Sequence, residues 1–203
     1  MNRRTALSAA LLAALPAFSG CASMARREGW VTLIDGASGL ASFTVSGAVA
    51  NWRGEDGAIV ADRIVSGKGA SVLITQQDYR DVEILAEFWS AEDTNSGIYL
   101  RAPDPAMVNT ASGAFEVQIW DRNPAQQFAT GSLVNVAPAN GRYIAAGRWN
   151  TYEIRTQGSE ITVRLNGVET ARTTQAKTHA GRIGLQFNAG GPIRFRKLMV
   201  REV

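Results

Sequence analysis

Between Trp30 and the C-terminus the chain alternates apolar and polar positions in short runs broken by Gly, Asn and Asp. A period of two belongs to extended strands, and no long stretch repeats at the helical period. Asp81–Trp89 sets Val82, Ile84, Ala86 and Phe88 on one face against Glu83, Leu85, Glu87 and Trp89 on the other. Gly97–Arg101 opposes Ile98 and Leu100 to Tyr99 and Arg101. Phe115–Trp120 opposes Phe115, Val117 and Ile119 to Glu116, Gln118 and Trp120. Trp149–Arg155, Ile161–Leu165, Ile183–Phe187 and Ile193–Val200 continue the pattern. Asn166-Gly167 predicts a two-residue hairpin turn that pairs Ile161–Leu165 with Val168–Arg172. Many short strands with regular turn signals predict an all-β jelly-roll sandwich, one domain over residues 30–203. Pro103–Ser112 and Asn123–Gly131 are polar insertions, either loops that shape a binding site or solvated surface.

The first residues follow another rule. Residues 1–20 place Arg3 and Arg4 ahead of an apolar core from Thr5 to Phe18 and end in Ser19-Gly20. The layout predicts an export signal, and the core is shorter than the roughly 20 apolar residues a membrane span takes. Arg3-Arg4 before Thr-Ala-Leu looks like a twin-arginine signal. Small residues leading to Cys21 look like a bacterial lipoprotein cleavage site, with Cys21 acylated and residues 21–29 as a lipidated tether. The alternative is an ordinary secretory signal with a chance cysteine. The expected location is therefore the periplasmic face of the envelope, on the outer membrane as a lipoprotein or otherwise soluble in the periplasm. Membrane contact runs through the N-terminal lipid alone.

Composition then removes whole classes of chemistry. The chain has 203 residues, 45% of them hydrophobic and 19% charged, enough apolar mass for a packed core. One Cys rules out an intramolecular disulfide and a cysteine zinc cage; one His rules out a multi-histidine metal site. No cofactor is predicted, while a divalent cation such as calcium stays open through carboxylate and carbonyl oxygens. The formal charge is +3, and loss of Arg3 and Arg4 with residues 1–20 lowers it to +1. The basic character thus belongs mostly to the signal, and nucleic acid is not an expected partner. His179, in Lys177-Thr178-His179-Ala180-Gly181, reads as a loop histidine rather than a triad member.

The polar strand faces hold the candidate chemistry. Glu116, Gln118 and Trp120 share one; Tyr99 and Arg101 share another; Glu87 and Trp89 share a third; Asn95 and Asp121 stand beyond strand ends. Carboxylates, amides, a guanidinium and flat aromatic rings suit a sugar, since rings stack on C–H faces and polar groups bond hydroxyls. An ion-paired exposed face, Arg101 with Glu116 for example, reads the same residues equally well.

In order along the chain stand Leu33-Ile34-Asp35-Gly36, Asn95-Ser96-Gly97-Ile98-Tyr99-Leu100-Arg101, Phe115-Glu116-Val117-Gln118-Ile119-Trp120-Asp121, Thr130-Gly131-Ser132-Leu133, Trp149-Asn150-Thr151-Tyr152-Glu153-Ile154, Leu165-Asn166-Gly167-Val168, Gly181-Arg182-Ile183-Gly184-Leu185-Gln186 and Arg194-Phe195-Arg196. This ordered set resembles the 3-keto-disaccharide hydrolase domain family over nearly the whole chain after the signal. The resemblance implies a concanavalin- and laminarinase-like jelly roll of two antiparallel sheets, with a site on a concave sheet. It implies cleavage of glycosides whose sugar carries a ketone at carbon 3, and an oxidoreductase in the same pathway that makes the ketone. The chain departs from the family at Phe43, where Trp is common, at Val134, where Tyr is common, and at Phe187-Asn188-Ala189, where Asp-His-Gly is common.

On that resemblance the expected mechanism is removal of the carbon-2 hydrogen, elimination of the aglycone and addition of water. Glu116 is expected as the base or acid, Arg101 as the cation for the enolate oxygen, Asp121 as second carboxylate and Glu87 as a further one. Asn95, Tyr99, Gln118 and Trp120 are expected to hold the sugar. The alternative is a non-catalytic carbohydrate-binding envelope lipoprotein.

Overall fold

The computed structural model describes residues 29–203. The expected export signal, the acylated Cys21 and the tether lie outside these residues apart from Gly29. Thirteen strands follow one another: β1 Val31–Asp35, β2 Phe43–Ala50, β3 Arg53–Glu55, β4 Ala58–Ala61, β5 Ile64–Thr75, β6 Val82–Ser90, β7 Asn95–Ala102, β8 Phe115–Ile119, β9 Trp149–Gln157, β10 Glu160–Leu165, β11 Val168–Thr173, β12 Arg182–Ala189 and β13 Ile193–Glu202. They form two antiparallel sheets. The larger runs β11-β10-β9-β6-β13-β4-β3, with β1 also paired to β13, and the smaller runs β2-β5-β12-β7-β8. The chain is an all-β jelly-roll sandwich, as its pattern predicts.

The pattern fixes most strands closely. β6 buries Val82, Ile84, Ala86, Phe88 and Ser90 and leaves the residues between them half-buried, as a period of two demands. Asn166 and Gly167 both take positive φ (51° and 82°), the two-residue turn whose twist matches the flanking strands, and Leu165 pairs with Val168. The core between the sheets gathers Phe88, Tyr152 and Phe195 from the larger sheet with Ile98, Val117, Leu185 and Phe187 from the smaller. Phe88 and Tyr152 stack with ring centroids 4.9 Å apart.

The smaller sheet departs from simple alternation. β8 is buried at all five positions and β12 at five in succession, so both of its faces are covered. The inner face is the core. On the outer face Val108 and Ala114, from the 103–114 connection, pack on Val72, Ile74, Tyr99 and Ala102 as a second apolar cluster. The 122–148 connection lies along the β8 edge: the Val134 N–H donates to the Glu116 carbonyl (2.9 Å) and the Gln118 N–H to the Ser132 carbonyl (3.1 Å). The 103–114 connection therefore walls the outer face of this sheet, and the 122–148 connection covers its β8 edge.

Candidate functional site

Register across the smaller sheet sets its outer face. Thr44 on β2, Ile74 on β5, Gly184 on β12, Tyr99 on β7 and Glu116 on β8 form one row. Ser46, Val72, Gln186, Gly97 and Gln118 form the next. Glu116, Tyr99, Gln118 and Gln186 thus meet over four adjacent positions of three strands. All four are buried, Glu116 being 6% exposed. Two glycines make the space. A Cβ at Gly97 would stand 2.7 Å from Glu116 Oε1 and 3.0 Å from its Cγ, so the Glu116 side chain leans over Gly97. A Cβ at Gly184 would meet Val72 Cγ1 at 2.6 Å.

Burial governs the electrostatics. Loss of water pushes the Glu116 carboxyl up to about 7, against which the neighbouring Tyr99 and Gln186 polar groups pull down only in part. Burial, and next the negative charge of Glu116, hold the Tyr99 phenol well above its usual range. Gln186 Nε2 donates to Tyr99 Oη at 2.7 Å, while Gln186 Oε1 is buried without a partner. The Ile119 N–H donates to Gln118 Oε1 (3.1 Å), which leaves the Gln118 amide hydrogens for other acceptors. A carboxyl balanced between its two forms at neutral pH, beside neutral donors, can take and return a proton.

Tyr99 and Gln118 stand with Glu116. Asn95 and Trp120 stand half-buried at one end of the same sheet, Asn95 opposite Ala189 and Trp120 directly beyond β8. Three of the expected catalytic residues lie elsewhere. Tyr99 pairs with Gly184 and Ala102 with Arg182, so three steps on β7 oppose two on β12. This bulge, with Arg101 at φ 50°, turns Arg101 out of the Tyr99 face. Its guanidinium donates to the Arg80 carbonyl (2.9 Å), the Lys177 carbonyl (2.6 Å) and Asp81 (3.0 Å), tying the end of the smaller sheet to the start of β6. Asp121 is buried and accepts from Thr130 Oγ1 (2.6 Å) and from the backbone N–H groups of Ala145 and Ala146 (3.0 Å each), so it pins the 130 and 145–146 segments. Glu87 belongs to the larger sheet, where it pairs with Arg196 at 2.5 Å. The expected convergence of Glu116, Arg101 and Asp121 does not form, and Arg101 does not pair with Glu116. His179 Nε2 bonds the Arg101 carbonyl oxygen at 2.8 Å, part of the same brace.

Gln186 is the site residue that sequence reasoning passed over. Its signal was there: in Arg182–Ala189 it is the one long polar side chain in the run of buried residues, at the alternate position from Gly184. The family departures also take places. Phe43 sits in the main core, Val134 beside the Glu116 backbone, and Asn188 half-buried near the Asn95 end of the sheet. Among the described residues no three of His, Cys, Asp and Glu gather into a metal-ligand cluster.

A family model described as the 3-keto-alpha-glucoside-1,2-lyase-like domain matches residues 29–201. No curated protein matches the chain significantly. Among solved structures, a protein from Parabacteroides distasonis ATCC 8503, provisionally assigned as a glycosyl hydrolase, superposes with TM-score 0.71 at 15% identity, over 86% of this chain and 94% of its own. A second one from the same organism, with the same provisional assignment, gives TM-score 0.68 at 22% identity, over 86% and 99%. A Bacillus subtilis protein of unknown function with a galectin-like fold gives 0.65 at 13%, over 84% and 93%. At these identities the likeness is one of fold.

Proposed function

The chain belongs to the 3-keto-alpha-glucoside-1,2-lyase-like domain family, and from that premise we propose that it cleaves the glycosidic bond of a 3-keto-glycoside by elimination across carbons 1 and 2. The observation that carries the proposal is Glu116, a buried carboxyl poised near neutrality on a walled sheet face. A ketone at carbon 3 acidifies the hydrogen on carbon 2. Ionised Glu116 takes that proton; the C–H electron pair becomes the carbon 2–carbon 3 enolate. The enolate collapses to a carbon 1–carbon 2 double bond, the bond from carbon 1 to the aglycone oxygen breaks, and that oxygen leaves with the electron pair and receives a proton. Addition of water to carbon 1 of the enone completes net hydrolysis. No oxocarbenium ion and no second carboxylate are needed, in contrast to the usual glycosidase pair. With Arg101 withdrawn, the enolate oxygen takes hydrogen bonds from neutral donors, the Gln118 amide first. Trp120 and Asn95 hold the sugar at the open end.

On the same reading residues 1–20 direct export, Cys21 carries the lipid, and an oxidoreductase that oxidises carbon 3 of glycosides supplies the substrate. A palmitate label incorporated by the full chain and absent from Cys21→Ser checks the anchor.

The deciding experiment offers 3-keto-glucosides in deuterated water and follows carbon-2 exchange and aglycone release by NMR. Exchange with release is the expected result. Binding of glycosides with neither exchange nor release would replace the lyase by a carbohydrate-binding module, the reading that the withdrawal of Arg101 favours. Absence of binding as well would sink both.

A further inference from the structure

The Gln186 carboxamide sits beside two neighbours, the Tyr99 phenol and the Glu116 carboxyl. One amide atom lies 2.7 Å from Tyr99 Oη, Gln186 stands opposite Gly97, over which the Glu116 carboxyl leans, and the other amide atom is buried without a partner. Amide nitrogen and oxygen are isosteric, so the same position can hold either. With nitrogen there, Gln186 donates to the Tyr99 hydroxyl and toward an ionised Glu116. With oxygen there, it accepts from the Tyr99 hydroxyl and from a protonated Glu116. In both orientations the second amide atom is the orphan, so no buried partner locks the side chain in one of them. A buried polar atom left unpaired is costly, which makes the arrangement hard to explain as packing alone.

We infer that Gln186 is a positioning residue whose carboxamide turns over with the charge of Glu116, presenting N–H to the base form and C=O to the acid form. It deepens the elimination proposed above. One carboxyl must take the carbon-2 proton and then hold it until it passes to the leaving oxygen or to solvent. A rotating amide keeps both forms hydrogen-bonded without a charged partner. The groups that bear on Glu116 leave this task to Gln186. β7 contributes the Tyr99 phenol, which burial keeps protonated. β12 contributes the neutral Gln186, and the 133–134 segment contributes backbone. Among the described residues no ammonium, guanidinium or second carboxylate is a cause of its displacement.

The test needs no substrate. In wild-type protein the side-chain N–H resonances of Gln186 should shift with the same midpoint as the Glu116 carboxyl carbon, and the shift should vanish in Glu116→Gln. Amide resonances that ignore the Glu116 titration would overturn the inference while leaving the lyase reading standing. If 3-keto-glucosides are turned over, Gln186→Met should move the acid limb of the kcat/KM profile upward by about half a pH unit or more, because the ionised form loses its donor. An equal fall in kcat/KM at every pH would mark a merely structural residue. Titration with the predicted coupling but without turnover would leave Gln186 in its role and remove the lyase.

Discussion

The larger sheet keeps the charges of its outer face in partial contact with water, whereas the smaller sheet takes the one carboxyl of its Glu116 row out of it. On the larger sheet Glu83 pairs with Arg155 at 2.8 Å and with Arg201, and Glu87 pairs with Arg196. Arg196 lies 4.3 Å from the centre of the Trp149 ring, and Arg201 5.0 Å from that of Trp30. Glu83 and Glu87 thus each have a cation beside them. On the smaller sheet Glu116 has a phenol and an amide, the 103–114 connection packs over the face, and the 122–148 connection covers its β8 edge. The difference teaches that a carboxylate becomes useful for proton transfer through what covers it. Both sheets present Glu on an alternating strand; burial moves the covered one, Glu116, up to about 7.

The largest expected effect comes from removing that carboxyl. Glu116→Gln should lower turnover of a 3-keto-glucoside by about 10³-fold or more while the protein stays folded. The same variant tests burial through stability. The folded-state value lies above 4.5, so the folded protein holds its proton more tightly than the unfolded chain does. Stability from this group is full below about 4.5, falls as pH rises toward about 7, and is flat beyond. At ~1.4 kcal/mol per pH unit the loss amounts to roughly 3 kcal/mol. Glu116→Gln should therefore match wild type in denaturant midpoint at pH 4 and exceed it at pH 8. Equal midpoints at both would show that the face is wet and the contrast between the sheets is wrong.

Next in size is Arg101. If it braces the fold, Arg101→Met should cost about 2–4 kcal/mol by orphaning the Lys177 carbonyl and removing one donor each from the Arg80 carbonyl and Asp81. Activity per folded molecule should stay within a few-fold of wild type. A stable but inactive variant would return Arg101 to the site. Gly97→Ala acts in the opposite sense. A methyl there meets Glu116 Oε1 at 2.7 Å, and Glu116 Cγ and the Val117 carbonyl oxygen at 3.0 Å, so the Glu116 side chain must swing away for the fold to accept it. The carboxyl should then be displaced, with a roughly 10–100-fold fall in kcat/KM.

These residues also mark how far the sequence could be read. Alternation located β6 to β13 within a few residues, and the Asn166-Gly167 turn with them, because each is a local consequence of side-chain period and backbone φ. Glu116, Tyr99 and Gln118 followed as members of one polar face. Arg101 did not, because strict alternation cannot register a bulge: one extra residue between Tyr99 and Ala102 sends its side chain to the other side. Asp121 and Glu87 were misplaced for a related reason. Carboxylates at strand ends and on exposed faces look alike in sequence, and only the fold shows that one accepts three donors and the other belongs to the opposite sheet. Gln186 was legible as a polar residue in an apolar strand, but its meeting with Glu116 depends on the β12-β7-β8 order, a non-local fact.

The smallest expected effect completes the contrast. Glu87→Gln removes one half of an ion pair on the larger sheet, where Arg196 keeps 44% of its side chain exposed and retains the Trp149 ring beneath it. Exposed pairs of this kind contribute about 0–1 kcal/mol, because water solvates the freed guanidinium and salt already screens the pair. The midpoint of unfolding should fall by less than about 1 kcal/mol in equivalent energy, and the fall should shrink further in high salt. kcat/KM and its pH profile should coincide with those of wild type, since Glu87 lies on the opposite sheet from the Glu116 carboxyl. A change in the pH limb on substituting Glu87 would mean that the two faces communicate through the core, and the division of labour between the sheets would fail at its simplest point.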